Sequence, residues 1–150
     1  MRRALRRFGI LGLCVAAATA AASAVAGETV LEGILYKTPW CGCCAAYGDY
    51  LEQQGFQLRV VEQEDLTPLK QAHGVPEPLE GCHTLVAGGY VVEGHVPIAP
   101  LLRLLAEKPE VAGISLPGMP LGSPGMGGEK EGPFTIFAFG EGEPEVFAVE

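Results

Sequence analysis

Tyr36-Lys37-Thr38-Pro39-Trp40-Cys41-Gly42-Cys43-Cys44 is the stretch on which the reading of this 150-residue chain turns. Just before it, Val30 to Tyr36 reads as a first strand, closed by Lys37-Thr38-Pro39. After it, Ala45, Ala46, Tyr47, Tyr50 and Leu51 recur at helical spacing, which predicts a helix from Cys41 to Gln54 with Gly55 as its C-terminal cap. The cysteines therefore fall where a strand hands over to the start of a helix. Free backbone N–H groups and the helix dipole favour a thiolate at that place. Cys41 and Cys44, three apart, share a face of the first turn.

Working outward, Phe56 to Val61 is a second strand, and Thr67-Pro68 opens a short helix that runs to His73. Gly74 to Pro78 is loop. Cys82 to Ala87 and Tyr90 to Glu93 are strand-like runs separated by Gly88-Gly89, a two-residue hairpin signal. Pro97 to Lys108 forms the third helix, stopped by Pro109. The order β-α-β-α-β-β-α predicts an α/β domain with one parallel crossover, an antiparallel hairpin and helices covering the sheet. Ile114 to Gly128, rich in Pro, Gly and Met, is expected to be neither helix nor ladder. Phe134 to Phe139 and Glu145 to Val149 are expected to form a terminal hairpin.

At the other end, four of the ten Lys and Arg crowd into residues 2–7, ahead of an apolar run from Phe8 to Ala22 and the small-x-small triplet Ala24-Val25-Ala26. This predicts a secretory signal over residues 1–26, cleaved near Ala26, and one mature domain over 27–150. The competing reading, a retained membrane anchor, needs a longer and more apolar run. With the leader goes most of the clustered positive charge: the net charge of −8 becomes −12. A nucleic-acid surface is excluded on that balance, and no membrane attachment is expected after cleavage.

Five cysteines are present. Cys14 leaves with the leader, and Cys41, Cys43, Cys44 and Cys82 remain. Four cysteines in an exported chain would ordinarily suggest two structural disulfides. Three of them within four positions argue instead for a soft metal or for exchange chemistry, because adjacent cysteines bridge only under strain. Thiolates select Cu(I), zinc or iron–sulfur clusters, and thioethers narrow the choice towards Cu(I). Met119 and Met126 stand in the Pro/Gly loop, with no core-filling pattern to explain them, and are candidate ligands or lid residues. His83, directly after Cys82, is a candidate ligand. His95, ahead of a helix, reads first as a hydrogen-bonding cap, and His73 complements the end of its helix. No P-loop, nucleophile-elbow serine or HExxH is present.

Trp40-Cys41-Gly42-Cys43-Cys44 resembles the thioredoxin active-site segment, and the element order resembles the thioredoxin fold. Two departures stand out. Cys43 replaces the proline between the paired cysteines, and His83 falls where that fold carries a cis-proline facing them. Together with Gly81-Cys82-His83-Thr84, Glu93-Gly94-His95-Val96-Pro97 and the segment Pro117-Gly118-Met119-Pro120 to Gly122-Ser123-Pro124-Gly125-Met126, the motif looks like the bacterial periplasmic CopG-type copper-resistance family. The resemblance spans Val30 to Val149. It implies a thioredoxin-like fold in which Cys41, Cys43, Cys44 and Cys82 bind copper, including as a multinuclear cluster with bridging sulfurs. It also implies copper handling outside the cytoplasm. Copper ions, and another periplasmic copper protein, are the partners it suggests; zinc is an alternative metal. A thiol–disulfide oxidoreductase using Cys41 as nucleophile and Cys44 as resolving thiol is the competing function. Cysteine oxidation coupled to Cu(II)/Cu(I) conversion would combine the two.

Overall fold

The computed structural model describes residues 30–150; the expected leader, residues 1–26, lies outside the described residues. Eleven elements follow in order: β1 (Leu31–Lys37), α1 (Gly42–Gln53), β2 (Phe56–Glu62), α2 (Thr67–Ala72), a single 3-10 turn (Glu77–Leu79), β3 (His83–Ala87), β4 (Tyr90–Gly94), α3 (Ile98–Glu107), β5 (Gly113–Leu116), β6 (Thr135–Phe139) and β7 (Glu145–Val149). The strands form one mixed sheet in the order β2-β1-β3-β4-β5-β6-β7. This is the α/β class that the sequence predicts.

β1 and β2 are parallel, joined across α1, while β3 returns antiparallel to β1 and turns into β4. That turn is made by Gly88 and Gly89 at φ 57° and 87°. Two successive positive-φ residues are what a type I′ hairpin demands, and glycine supplies them without a Cβ clash. Gly55, just past α1, takes φ 92° and donates its N–H to the Glu52 carbonyl, ending the helix as expected.

One expectation is overturned. The sequence pattern places Ile114-Ser115-Leu116 in the loop, yet Gly113–Leu116 is a strand buried along its whole length. It runs parallel to β4 on one side and antiparallel to β6 on the other. A four-residue strand covered on both faces shows no polar–apolar alternation, so the Pro and Gly that follow dominate its local composition. The terminal hairpin β6–β7 is present as predicted. Through β5 it belongs to the main sheet instead of standing apart.

The core lies between the sheet and its helices. Leu35, Leu51, Leu85, Leu101, Leu104, Ile114 and Ile136 are fully buried. Each such side chain contributes about 1.5–3 kcal/mol on removal from water. α3 presents Leu101 and Leu104 inward and leaves Leu102, Arg103 and Glu107 outside.

Beside this apolar core sits a buried polar knot. Lys70 of α2 pairs with Glu93 of β4 and also donates to the Thr84 hydroxyl 3.0 Å away. Thr84 donates in turn to Glu93, whose other oxygen accepts the Gly81 N–H at 2.8 Å. Both carboxylate oxygens and the ammonium are thus satisfied, the condition under which a buried pair is tolerated. The knot clamps the ends of the segment 81–84.

Candidate metal centre

The sheet register brings the sequence motifs together. Lys37, the last residue of β1, pairs with His83, the first of β3. The chain leaving β1 into Cys41 therefore meets the chain entering β3 from Cys82. The β3–β4 hairpin pairs Thr84 with Glu93. Continuing that antiparallel register by two residues sets Cys82 opposite His95.

Cys41 is the N-cap of α1, and its sulfur lies 3.3 Å from the Cys44 N–H. Cys43 and Cys44 stand in the first turn. Cys41 and Cys44 are joined as a disulfide, with Cα atoms 5.3 Å apart, and Cys43 and Cys82 are free. Cys43 Sγ lies 3.6 Å from Cys41 Sγ and 3.9 Å from Cys82 Sγ, and Cys44 Sγ lies 3.4 Å from Cys82 Sγ. All four sulfurs fall within 4.8 Å of one another.

Two imidazoles complete the group. Cys82 Sγ is 3.3 Å from His95 Nε2 and 3.5 Å from His83 Nδ1, and these three residues also form a cluster within 4.8 Å. The His95 Nδ1–H donates to the Pro124 carbonyl at 2.7 Å. A carbonyl can only accept, so this bond fixes the tautomer and leaves Nε2 with its lone pair towards Cys82. Tyr47 of α1 stacks on the His83 ring at 4.5 Å between centroids and meets His95 edge-on at 5.5 Å. Its hydroxyl donates to the Val96 carbonyl at 2.9 Å. Among the described residues, His83 Nε2 is a buried side-chain nitrogen with no hydrogen-bond partner.

Burial sets the electrostatics. Loss of water, then the presence of His95 and Lys70, pushes the His83 pKa down to about 3. Burial likewise lowers the His95 pKa, partly offset by the Pro124 carbonyl. The Cys82 thiol is pushed up to about 12 by burial and by the neighbouring Cys43. Both histidines are therefore neutral, the form in which imidazole ligates a metal.

The methionine loop reaches the site by its second half. At Gly125, φ is 80°, and an added Cβ would lie 2.6 Å from the Tyr47 nitrogen and 2.9 Å from the Cys43 carbonyl. Residues 123–126 make a turn, with the Met126 N–H bonded to the Ser123 carbonyl at 2.9 Å. Met126 is half-buried beside that contact, whereas Met119 is 44% exposed in a left-handed conformation at φ 47°. His73 is the C-cap residue of α2 and belongs to neither of the two ligand clusters.

The donor set suits a soft ion. Four sulfurs and two neutral imidazoles match the ligands that Cu(I) and zinc take, and an unpartnered buried nitrogen is one a metal bond would satisfy. Delivery of all four thiolates requires two-electron reduction of the Cys41–Cys44 disulfide. The sequence reading undervalued His95 and did not place Tyr47 or the Lys70–Glu93 pair in the site's surroundings.

Comparison with known proteins adds a family. Residues 79–126 match a family described as a protein of unknown function, DUF411. Two solved structures of copper resistance protein copG, Form 1 and Form 2, each align with a TM-score of 0.74 at 35% identity over 80% of this chain. The alignments span 98% of the Form 2 chain and 97% of the Form 1 chain. The chain belongs to the CopG-type copper-resistance family. No curated protein matches the sequence significantly. In this CopG-type chain the family match at 79–126 contains Cys82, His83, His95, Met119 and Met126 but stops short of the Cys41–Cys44 motif. The structural alignment is the broader of the two.

Proposed function

We propose that this protein is an exported copper carrier that holds Cu(I) on the reduced thiolates of Cys41, Cys43, Cys44 and Cys82. His83, whose Nδ1 lies 3.5 Å from Cys82 Sγ, is close enough to join the cluster, and Met126 and Met119 are the thioether donors that the loop would supply. The single observation that carries the reading is the convergence of four sulfurs within 4.8 Å. Sulfurs so close favour bridging, so that one cluster holds more than one copper ion. The name of the copG relatives supports copper over zinc. The amino-terminal charge and hydropathy pattern supports export to the periplasm, where another copper protein would supply or receive the ion. The cysteine-bearing helix start and the parallel β1–α1–β2 unit support a thioredoxin-like scaffold for the site. Among the described residues no helix is long and apolar enough to cross a membrane.

The test is anaerobic titration of the reduced protein with Cu(I) against a competing chelator, with bound metal counted by mass. Retention of two or more copper ions per chain, lost in Cys82→Ser, is the expected outcome. A protein that yields its copper to the chelator as readily as the Cys82→Ser variant does would sink the proposal.

A second reading has its own observation. The Cys41–Cys44 disulfide at a helix start favours thiol–disulfide exchange, alone or coupled to copper oxidation and reduction. Catalysed reduction of a small disulfide, abolished by Cys41→Ser and indifferent to copper chelation, would support that reading over copper carriage.

A further inference from the structure

We propose that Cys82 is an internal nucleophile towards the Cys41–Cys44 disulfide, so that the oxidised site exchanges between two disulfide isomers, Cys41–Cys44 and Cys44–Cys82. The inference concerns the metal-free protein and stands apart from copper binding. It rests on three contacts. Cys82 Sγ lies 3.4 Å from Cys44 Sγ, one half of the existing disulfide. His95 Nε2 lies 3.3 Å from the same Cys82 sulfur. His95 is itself oriented by donating Nδ1–H to the Pro124 carbonyl at 2.7 Å. A nucleophile, a base and a group that fixes the base's tautomer form the arrangement that activates a thiol.

The step balances without an external reagent. As the Cys82 sulfur forms a bond to Cys44 Sγ, its proton passes in the same step to His95 Nε2. The Cys41–Cys44 bond breaks, and its electron pair stays on Cys41. Cys41 then takes up one proton as His95 releases one. One disulfide and two thiols are present before and after, and nothing is oxidised or reduced overall.

The helix favours the departure of Cys41. As N-cap it sits where free N–H groups converge, with the Cys44 N–H 3.3 Å from its sulfur, so charge arriving there on bond cleavage is stabilised. Cys44 is fully buried, and Cys41, Cys43 and Cys82 are each partly buried, with the Cys41 and Cys43 sulfurs 3.6 Å apart. In the Cys44–Cys82 isomer the two free thiols are Cys41 and Cys43, both at the helix start.

The experiment uses the full chain with Cys14→Ser, which removes the one cysteine outside the site. Metal is stripped with a chelator, the protein is oxidised to one disulfide, and free thiols are alkylated and located by peptide mass spectrometry. Label on Cys41 as well as on Cys43 and Cys82 is expected, and label on Cys41 should vanish in Cys82→Ser, where Cys44 keeps its first partner. Label confined to Cys43 and Cys82 after prolonged incubation overturns the proposal. Cys41→Ser supplies a trap: mild oxidation should give an intramolecular Cys44–Cys82 disulfide, and its absence also overturns the proposal. His95→Asn, whose amide nitrogen stands at the Nδ1 position and retains a donor towards Pro124, should slow the appearance of Cys41 label on the order of 100-fold. An unchanged rate overturns the assignment of His95 as base.

Discussion

One hydrogen bond at Pro124 decides what His95 offers to the sulfurs, and one hydroxyl on Tyr47 holds the ring platform beneath both histidines. Tyr47 is fully buried, and its bond to the Val96 carbonyl has no solvent substitute. Tyr47→Phe leaves that carbonyl unpaired, and we expect a loss of about 1–3 kcal/mol in unfolding free energy by urea titration. Near-parental stability would show that water or a rearrangement replaces the bond.

The histidines also predict a pH dependence. His83 is held neutral with its pKa pushed from 6.5 down to about 3, while in the unfolded chain it protonates near its ordinary value. The unfolded state therefore binds the extra proton as pH falls, so this contribution to stability is intact above about pH 6.5 and is lost progressively towards pH 3. The slope from one such group is at most about 1.4 kcal/mol per pH unit. His95, also lowered, acts in the same direction. Glu93, whose pKa is raised chiefly by burial, acts oppositely from its ordinary value upwards and offsets part of this, one carboxyl against two histidines. The urea midpoint of the metal-free protein should thus fall between pH 7 and pH 5; a flat midpoint would contradict it. His95 was legible in advance: counting back from the Gly88-Gly89 turn pairs 84 with 93 and sets 82 opposite 95. The Lys70–Glu93 pair was not, because a lysine in a short helix is normally solvated and no local pattern announces its burial.

At the scale of elements, α1 was readable because its apolar spacing, its cap and its flanking strands agree. β5 was not, since four buried residues carry too few positions for a period and the Pro/Gly run behind them invites a loop assignment. The loop that follows is held to α1 by a backbone approach that only glycine allows at residue 125. Gly125→Ala would both strain a positive-φ position and drive a methyl group into the Tyr47 and Cys43 backbone. We expect the loop to lift away, which would free Nδ1 of His95 and weaken Cu(I) retention in chelator competition while leaving the far-ultraviolet circular dichroism unchanged. Retention equal to the parent would assign the loop no part in the site. The methionines are tested separately. Met119→Leu with Met126→Leu preserves apolar bulk and removes soft sulfur, so Cu(I) should transfer faster to a chelator while zinc affinity changes little. If transfer is unchanged, the loop contributes backbone contacts only.

At the scale of the molecule, a single sheet carries everything. Its edges are β2 and β7, and Val60, Val146 and Val149 are 48%, 59% and 61% exposed along them. Exposed edge strands invite pairing between chains, and the strong negative charge of the protein opposes it. Removing residues 134–150 would bare β5, a strand buried on all four residues. That variant is expected to aggregate or to bind a hydrophobic dye on dilution from urea; a monomeric, dye-silent product would show that the hairpin is dispensable.

The antiparallel pairing of β5 with β6 has one more consequence. Both ends of the segment 117–134 are fixed on neighbouring strands, so its ends are already closed before it meets the cysteines. Loop closure is part of folding the sheet and is not charged again at the site. Pro124 is thus delivered to His95, and Gly125 to the start of α1, at a high effective concentration, as though by a tether cut to length. A separate peptide of the same sequence would have to be supplied at millimolar levels to act as the attached one does.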